Sequence, residues 1–310
     1  MSGSTLLGAM SIPKRAARKV QREIRKLIDP SNIDRFRREI AFPLRNAVLR
    51  NKPIMANAGG RQLKLAPMGA IAAGLWSGVE YEPAELGLIS RLLKPDSVFL
   101  DVGANVGIFS LFAAKVFPSA RIFAFEPAAK TFKLLARNIW LNDAQNVTPV
   151  RSALGSSSGQ AKMHVNVAGK DGLNTLGVPS HPDCELAGTE IVPITTLDEF
   201  LAVGTIARVD VMKVDAEGAE LFIMEGAKEL LQRNDAPVLL YEAFSFLTRG
   251  FAYHPVEIYW LLERWGFAFF TLSSETGKLA APASSRAYDS MIVAVKPSHP
   301  SYSAIKDFAR

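Results

Sequence analysis

The sequence predicts an open, doubly wound α/β fold built on a mostly parallel sheet of seven strands. From residue 97 onward, short runs rich in β-branched and aromatic residues alternate with segments of helical period, as expected for strands connected by helices. The first of these strands leads through the glycine-containing turn of residues 101–107 directly into a helix. The second ends in an acidic residue, Glu126. Together these features indicate a sheet with helices on both faces.

The apolar runs and their periods place the individual elements. We expect main-sheet strands at residues 97–102, 121–126, 147–153, 209–214, 238–242, 267–272 and 289–295, and a shorter strand at 161–167. Helices are expected at residues 107–116, 128–142, 220–231 and 255–265. Residues 168–190 are interpreted as a polar loop, and the last two strands as an antiparallel hairpin joined by residues 273–288.

The composition is that of a globular protein. With 310 residues, 48% of them apolar and 21% charged, the chain can bury a substantial core. No apolar run approaches the roughly 20 residues needed to cross a bilayer. The basic run that opens at Lys14 follows the first apolar residues, whereas in a secretory signal it would precede them. The single cysteine, Cys184, excludes an internal disulfide, and we expect a cytoplasmic protein.

The positive charge lies at one end of the chain. Residues 1–50 hold twelve Lys/Arg and four Asp/Glu, a balance of +8 against +6 for the whole chain, so the remainder carries −2. We therefore expect four parts: a basic helical extension (1–50), a cap or lid (51–95), the core domain (96–297) and a C-terminal tail (298–310). A core with a −2 balance disfavours nucleic acid as a partner, because bound phosphates need cations along the groove.

Residues 14–28 form a predicted basic amphipathic helix. Apolar residues recur there at helical spacing, and lysines and arginines fill the other positions. Such a helix can bind an anionic membrane surface peripherally, dock on an acidic partner, or pack as a solvated helix on the protein. All three interpretations stay open. In the membrane case, a lipid-linked sugar becomes a candidate substrate.

The glycine turn separates two classes of cofactor. A dinucleotide fingerprint, G-x-G-x-x-G, seats a pyrophosphate on the helix N-terminus. Here the order is Asp101, Gly103, Asn105 and Gly107, and an acid in that position would repel a pyrophosphate but could bind an ammonium group. Glu126 can accept hydrogen bonds from both ribose hydroxyls. The pattern favours S-adenosylmethionine as the cofactor, with an NAD(P)-dependent oxidoreductase as the alternative.

The candidate catalytic residues follow later strands. Asp215 ends a strand that should lie beside the first one, where its carboxylate can face a transferable methyl group and help to remove a proton from a hydroxyl. Glu217 is either a substrate contact or, like Glu220, a charge that favours a helix N-terminus. Glu242 ends the next strand, and His254, before a helix, is a base or a capping residue. Three such hard ligands (Asp215, Glu242 and His254) make only a weak metal site, and we predict none.

The sequence resembles the FkbM-type methyltransferases over roughly residues 70–295. The motifs that carry the resemblance are Gly78-Val-Glu-Tyr-Glu-Pro83, Phe99-Leu-Asp-Val-Gly-Ala-Asn-Val-Gly107, Phe125-Glu-Pro127 and Met212-Lys-Val-Asp-Ala-Glu-Gly-Ala-Glu220 with Glu225-Gly-Ala227. The resemblance implies a class I methyltransferase (Rossmann-like) fold with strand order 3-2-1-4-5-7-6 and S-adenosylmethionine as methyl donor. It also implies O-methylation of a hydroxyl on a sugar, glycolipid, polysaccharide or secondary metabolite.

The same resemblance assigns residues by position. Cofactor contacts are expected at Asp101, Gly103, Ala104, Asn105, Gly107, Glu126, Pro127, Ser152, Ala153 and Asp215, with Ser152 and Ala153 near the adenine. Tyr81 and Glu82 are expected to contact the substrate or to close over the cofactor, and Glu217 is expected to contact the substrate. A cofactor-binding protein without catalysis is the alternative from another class, and neither the acceptor nor the oligomeric state is predicted.

Overall fold

The computed structural model describes residues 36–50, 52–167, 170–281 and 289–308. The chain divides into two compact units, which meet between Asn51 and Lys52. In the first unit, a π-helical turn (Arg37–Ala41) leads into helix α1 (Phe42–Val48). The predicted amphipathic helix of residues 14–28 lies outside the described residues, and α1 is the described part of the helical extension.

The second unit contains two sheets, a hairpin and most of the helices. Its strands are β1 (Ile54–Ala58), β2 (Arg61–Leu65), β3 (Val98–Val102), β4 (Arg121–Phe125), β5 (Val147–Val150), β6 (Ala153–Leu154), β7 (Gly159–Asn166), β8 (Leu186–Thr195), β9 (Val211–Val214), β10 (Val238–Glu242), β11 (Ala268–Leu272), β12 (Leu279–Ala280) and β13 (Met291–Val295). Its helices are α2 (Gly69–Trp76), α3 (Pro83–Leu92), α4 (Ile108–Val116), α5 (Ala129–Leu141), α6 (Leu197–Val203), α7 (Glu220–Glu225), α8 (Lys228–Gln232), α9 (Ser245–Thr248), α10 (Val256–Arg264) and α11 (Tyr302–Phe308). Short 3-10 turns lie at Asp171–Leu173 and Arg249–Phe251.

The main sheet runs in the order β12-β11-β13-β10-β9-β3-β4-β5. The strands from β10 to β5 are parallel to one another, whereas β13, β11 and β12 pair antiparallel. Within the described residues the sheet therefore has eight strands where seven were predicted. The additional strand is β12, two residues from the predicted loop 273–288 that pair with β11. Without β12, the strands numbered along the chain read 3-2-1-4-5-7-6.

The central strands of this sheet are buried over their whole length. Every residue of β3 and β9 is buried, as expected when helices cover both faces of a parallel sheet. Two charged residues are exceptions to their apolar character: Asp101 in β3 and Lys213 in β9. They are partners in the register between these strands, so their side chains leave the sheet side by side.

Three predicted elements have different limits in the structure. The predicted strand 147–153 divides, because the chain leaves the main sheet after β5 and β6 pairs with β8 in a three-stranded sheet with β7. The predicted loop 168–190 contains the start of β8, a mostly exposed strand that includes Gly188 and Pro193 and lacks a clear apolar alternation. The predicted helix 220–231 breaks at Gly226 into α7 and α8.

The predicted cap of residues 51–95 belongs to the same compact unit as the core. Its hairpin buries Leu63 and Leu65, and the N–H of Ala66 donates to the amide oxygen of Asn138 in α5 at 2.7 Å. The predicted C-terminal tail contains α11, which buries Ile305. Among the described helices, none has both the length and the apolar character required for a membrane span.

Gly226 marks a close approach between the small sheet and the helices. A Cβ atom there would overlap the carbonyl oxygen of Gly155, while Gly87, exposed in the middle of α3, has no atoms near its virtual Cβ. We expect Gly226→Ala to lower the free energy of unfolding by about 1–3 kcal/mol, because the backbones must separate. The matched change Gly87→Ala should raise it by about 0.5–1 kcal/mol through helix propensity. Urea unfolding measures both, and an unchanged midpoint for Gly226→Ala would contradict the close packing.

Candidate functional site

A cavity of about 300 Å³ opens at the carboxyl ends of β3, β4, β9 and β10. Crevices at this edge are the usual ligand sites of open α/β sheets, and small-molecule pockets have volumes of roughly 300–1,000 Å³. The structure brings most of the predicted site residues into its wall. These are Tyr81, Glu82, Gly103, Asn105, Glu126, Pro127, Ser152, Ala153, Asp215, Glu217 and Glu242.

Asp101, Ala104 and Gly107, three predicted cofactor contacts, do not line the cavity. The N–H of Ala104 donates to the Phe125 carbonyl at 2.8 Å, and Gly107 begins α4 with a φ of 91°. Asp101 is fully buried, and its Oδ2 accepts hydrogen bonds from the N–H and the hydroxyl of Ser110 at 3.0 and 2.6 Å. These three residues thus lie outside the cavity wall in this structure, and their contact with a cofactor stays a prediction.

His254, a predicted catalytic residue, also lies outside the cavity. Its side chain is exposed, and Nδ1 accepts a hydrogen bond from the N–H of Val256 at 3.2 Å. The N–H of His254 donates to the Glu257 carboxylate at 2.8 Å. These bonds satisfy groups at the start of α10, as a capping box does. The structure therefore supports the capping alternative for His254, and its role as a base stays a prediction.

Steric constraints explain why a glycine occupies position 103 in the turn after β3. Gly103 has a φ of 79°, and a Cβ atom there would overlap the carbonyl oxygen of Asp215. The turn after β3 and the loop after β9 thus meet backbone to backbone. Only glycine combines this φ with the absence of a side chain. The contact fixes the distance between the two strand ends that carry the site.

Glu126, at the end of β4, is a buried carboxylate at the edge of the cavity. Its Oε1 accepts a hydrogen bond from the N–H of Ala128 at 2.9 Å, and Oε2 accepts one from the N–H of Asn105 at 3.2 Å. Burial raises the pKa of Glu126 to about 7, although both N–H groups lower it. Each carboxylate oxygen keeps further acceptor capacity, so this group can bind a pair of hydroxyls.

One end of the cavity is apolar and lies between the main sheet and the small sheet. Phe125, Leu154, Met163 and Leu176 form this part of the wall. Neither Met163 nor Leu176 was predicted from the sequence. Met163 lies in the short strand predicted at residues 161–167, and Leu176 lies in the segment interpreted as a polar loop. Met163 is buried in β7, whose other residues are mostly exposed or half-buried, and this difference became visible only in the structure. This end can hold a flat apolar group such as a purine.

The other end holds an acidic cluster around one buried cation. Lys213 is 1% exposed, and its Nζ lies 2.8 Å from Asp215 Oδ2 and 4.5 Å from the centre of the Phe109 ring. Burial lowers the pKa of Lys213, but the carboxylates of Asp215, Glu82 and Asp101 raise it by more. The net effect is a pKa above the usual range of lysine. The lysine therefore stays charged and fixes the orientation of Asp215. The sequence identified Lys213 without assigning it a role.

The cavity-lining carboxyls near this ion pair hold their protons more tightly than usual. Burial raises the pKa of Glu82 to about 7, with Lys213 acting in the opposite direction. The pKa of Glu242 lies well above its ordinary value, first through burial and then through the nearby Asp215 carboxylate. Glu242 is therefore a stronger base than an ordinary glutamate.

Glu220 has a structural role in the loop after β9. Its Oε1 accepts hydrogen bonds from the N–H groups of Ala216 and Gly218 at 2.9 and 3.3 Å. The hydroxyl of Tyr253 donates to the Gly218 carbonyl at 2.9 Å. These bonds hold the loop that carries Glu217, whose own side chain faces the cavity. Glu220, predicted to favour a helix N-terminus by its charge, thus accepts hydrogen bonds from the loop that precedes α7.

A doubly wound sheet with a glycine turn, an acid at the next strand end and a second acidic loop defines a Rossmann-like methyltransferase domain. A sequence profile described as the methyltransferase FkbM domain matches residues 101–269, from the glycine turn into β11. The chain belongs to this family. The family predicted from the motifs is confirmed, and the motif at residues 78–83 lies outside the matched segment.

Several curated proteins are similar to this chain. Methyltransferase sdnD of Sordaria araneosa is 33% identical over 166 residues, which are 44% of this chain and 62% of that protein. The 31-O-demethyl-FK506 methyltransferase FkbM of Streptomyces tacrolimicus is 29% identical over 161 residues, with coverage of 44% and 62%. The hexuronic acid methyltransferase AglP of Haloferax volcanii is 29% identical over 147 residues, with coverage of 47% and 56%. The chain thus matches less than two thirds of the length of these relatives.

The raised pKa of Glu217 predicts a pH-dependent stability. Burial first, then the Asp215 and Glu220 carboxylates, raise this pKa from 4.5 to about 9. Between these values the folded protein retains a proton that the unfolded chain releases, so stability is lost as the pH rises through that window. We expect Glu217→Gln, which stays neutral, to be more stable than the unaltered protein at pH 8, and by a smaller margin at pH 5.

Urea midpoints at the two pH values measure this difference. Glu225→Gln, at an exposed position of α7, is the matched control and should change the midpoint equally at both. Equal margins for Glu217→Gln at pH 5 and pH 8 would rule out the effect of burial on this carboxyl.

Proposed function

We propose that this chain is an S-adenosylmethionine-dependent O-methyltransferase that acts on a hydroxyl group of a small molecule or glycan. The observation that carries the proposal is the distribution of carboxyls along one cavity. Glu126 lies at the end of β4, and Glu242 lies three strands away at the end of β10. The first suits a ribose, and the second suits a hydroxyl that must lose its proton.

The cavity residues fit this cofactor in their chemistry. The apolar end suits an adenine, and Glu126 beside it offers acceptor oxygens to the two ribose hydroxyls. No lysine, arginine or histidine lines the cavity in the described part of the chain, so a pyrophosphate would find no cation there. This lining, like the family assignment, favours S-adenosylmethionine over a dinucleotide. It also disfavours acceptors whose phosphates would have to enter the cavity.

Bound S-adenosylmethionine would supply an electrophilic methyl group on a sulfonium. The residues of this chain would then position a hydroxyl and take its proton. One oxygen of the Asp215 carboxylate already bonds the Lys213 ammonium group, at 2.8 Å. Glu242 has a raised pKa and lines the same cavity, which makes it the better proton acceptor. We therefore assign Asp215 to positioning and Glu242 to proton transfer.

The names of two relatives support the type of transfer. The Streptomyces relative is named for methylation at an oxygen of FK506, and the Haloferax relative for methylation of a hexuronic acid. The first name specifies an oxygen as the methylated atom, which supports O-methylation here. Attachment of residues 14–28 to an anionic membrane stays a prediction.

Titration calorimetry with S-adenosylhomocysteine tests the cofactor. We expect one-to-one binding, and about ten- to a hundredfold weaker binding by Glu126→Gln, because an amide replaces a charged acceptor of ribose hydrogen bonds. NADH is the control ligand and should not bind. Binding of NADH in place of S-adenosylhomocysteine would make the protein an oxidoreductase.

Variants of the second carboxyl test the proton transfer. With an acceptor found by screening glycosides and alcohols for transfer of a labelled methyl group, we expect Glu242→Gln to lower the rate by about 10²–10⁴. Its affinity for S-adenosylhomocysteine should stay within about twofold, because the carboxyl acts on the acceptor. Glu225→Gln serves again as the exposed control. An unchanged rate for Glu242→Gln would exclude Glu242 as the base.

A further inference from the structure

Glu82 occupies an unusual position at the edge of the cavity. It directly precedes α3 and has φ 40° and ψ 58°, in the left-handed region that side chains other than glycine seldom adopt. Backbone of this kind persists where the surrounding structure holds it in place, often beside a ligand. The Glu82 side chain lines the cavity.

One oxygen of the Glu82 carboxyl lacks a hydrogen-bond donor. Oε2 of Glu82 is buried and has no hydrogen-bond partner in the described structure. A buried carboxylate oxygen without a donor is costly, so such atoms in native proteins usually meet a water or a ligand. Because Glu82 lines the cavity, a ligand can supply the missing donor.

The charge balance around Glu82 specifies the ligand group. The groups that face it are Tyr81, Glu85, Lys213 and Asp215. Lys213 is the only cation among them, and it already bonds Asp215 at 2.8 Å. Lys213 is thus the counter-charge of several carboxyls. Among the described residues, the cavity wall contributes no further positive charge. A cationic ligand group would restore the balance.

The strand order indicates which part of the ligand arrives there. Neighbouring strand ends follow in the order β5, β4, β3, β9 and β10. If a ribose binds at Glu126, at the end of β4, and the adenine at the apolar end, the amino-acid part would be on the side of β3 and β9. Glu82 interacts with Lys213 and Asp215 at that end. Asp101, the sequence candidate for this contact, is enclosed behind the wall.

We propose that Glu82 binds the α-ammonium group of the amino-acid part of S-adenosylmethionine. The inference rests on the proposed function and deepens it. It assigns to the segment before α3 a role that the glycine motif predicted for Asp101. Asp101 then acts on the site through Lys213, its partner in strand register.

Two nucleosides and two variants test this assignment by calorimetry. S-adenosylhomocysteine carries the ammonium group, and 5′-methylthioadenosine lacks the amino-acid part. We expect Glu82→Gln to bind S-adenosylhomocysteine at least about tenfold more weakly, because a charge-assisted hydrogen bond is lost. The same variant should bind 5′-methylthioadenosine within about twofold of the unaltered protein, which also shows that it is folded. Glu80→Gln, an exposed glutamate two residues earlier, is the matched control and should bind both nucleosides normally.

The other outcomes overturn the assignment. Equal losses for both nucleosides would mean that Glu82 only maintains the cavity. Unchanged binding of both would mean that its partner is elsewhere, for example an amine of the acceptor. If the unaltered protein binds neither nucleoside, the proposed function fails first, and this inference fails with it.

Discussion

The buried ammonium group of Lys213 is the interaction on which the rest of the site depends. It lies in a fully buried strand, beside Asp101 in register and 2.8 Å from Asp215. Removing carboxylates from water costs several kcal/mol each unless a counter-charge and hydrogen bonds compensate. A single lysine provides that counter-charge for Asp101, Asp215 and Glu82. The strand ends can therefore present several acids to one cavity at the edge of the sheet.

The order of the strands divides the site into regions with different chemistry. Beside the small sheet the wall is apolar, at the end of β4 it carries Glu126, and at the ends of β9 and β10 it is acidic. The backbone at Gly103, after β3, packs so closely on the Asp215 carbonyl, after β9, that no side chain fits between them. This contact fixes the separation of the two strand ends. An elongated ligand with a flat apolar end, a diol and a cationic tail matches this sequence of environments.

Secondary interactions then decide which carboxyls remain available for chemistry. Glu220 is used by the N–H groups of its own loop, Asp101 by Ser110, and Asp215 by Lys213. The acids of the cavity wall that keep hydrogen-bonding capacity for a ligand are Glu82, Glu126, Glu217 and Glu242. Carboxyl groups at the same edge of the sheet thus have different roles, because each has different hydrogen-bonding partners.

The sequence by itself determined the class of fold, the family and the edge of the sheet at which the site lies. These features follow from local patterns: apolar period, glycine spacing around Gly103 and an acid such as Glu126 at a strand end. Only the tertiary structure decided that Asp101 is enclosed, that His254 caps a helix and that β8 is a strand. Burial, side-chain partners and pairing between distant segments depend on contacts across the fold, which a local pattern does not record.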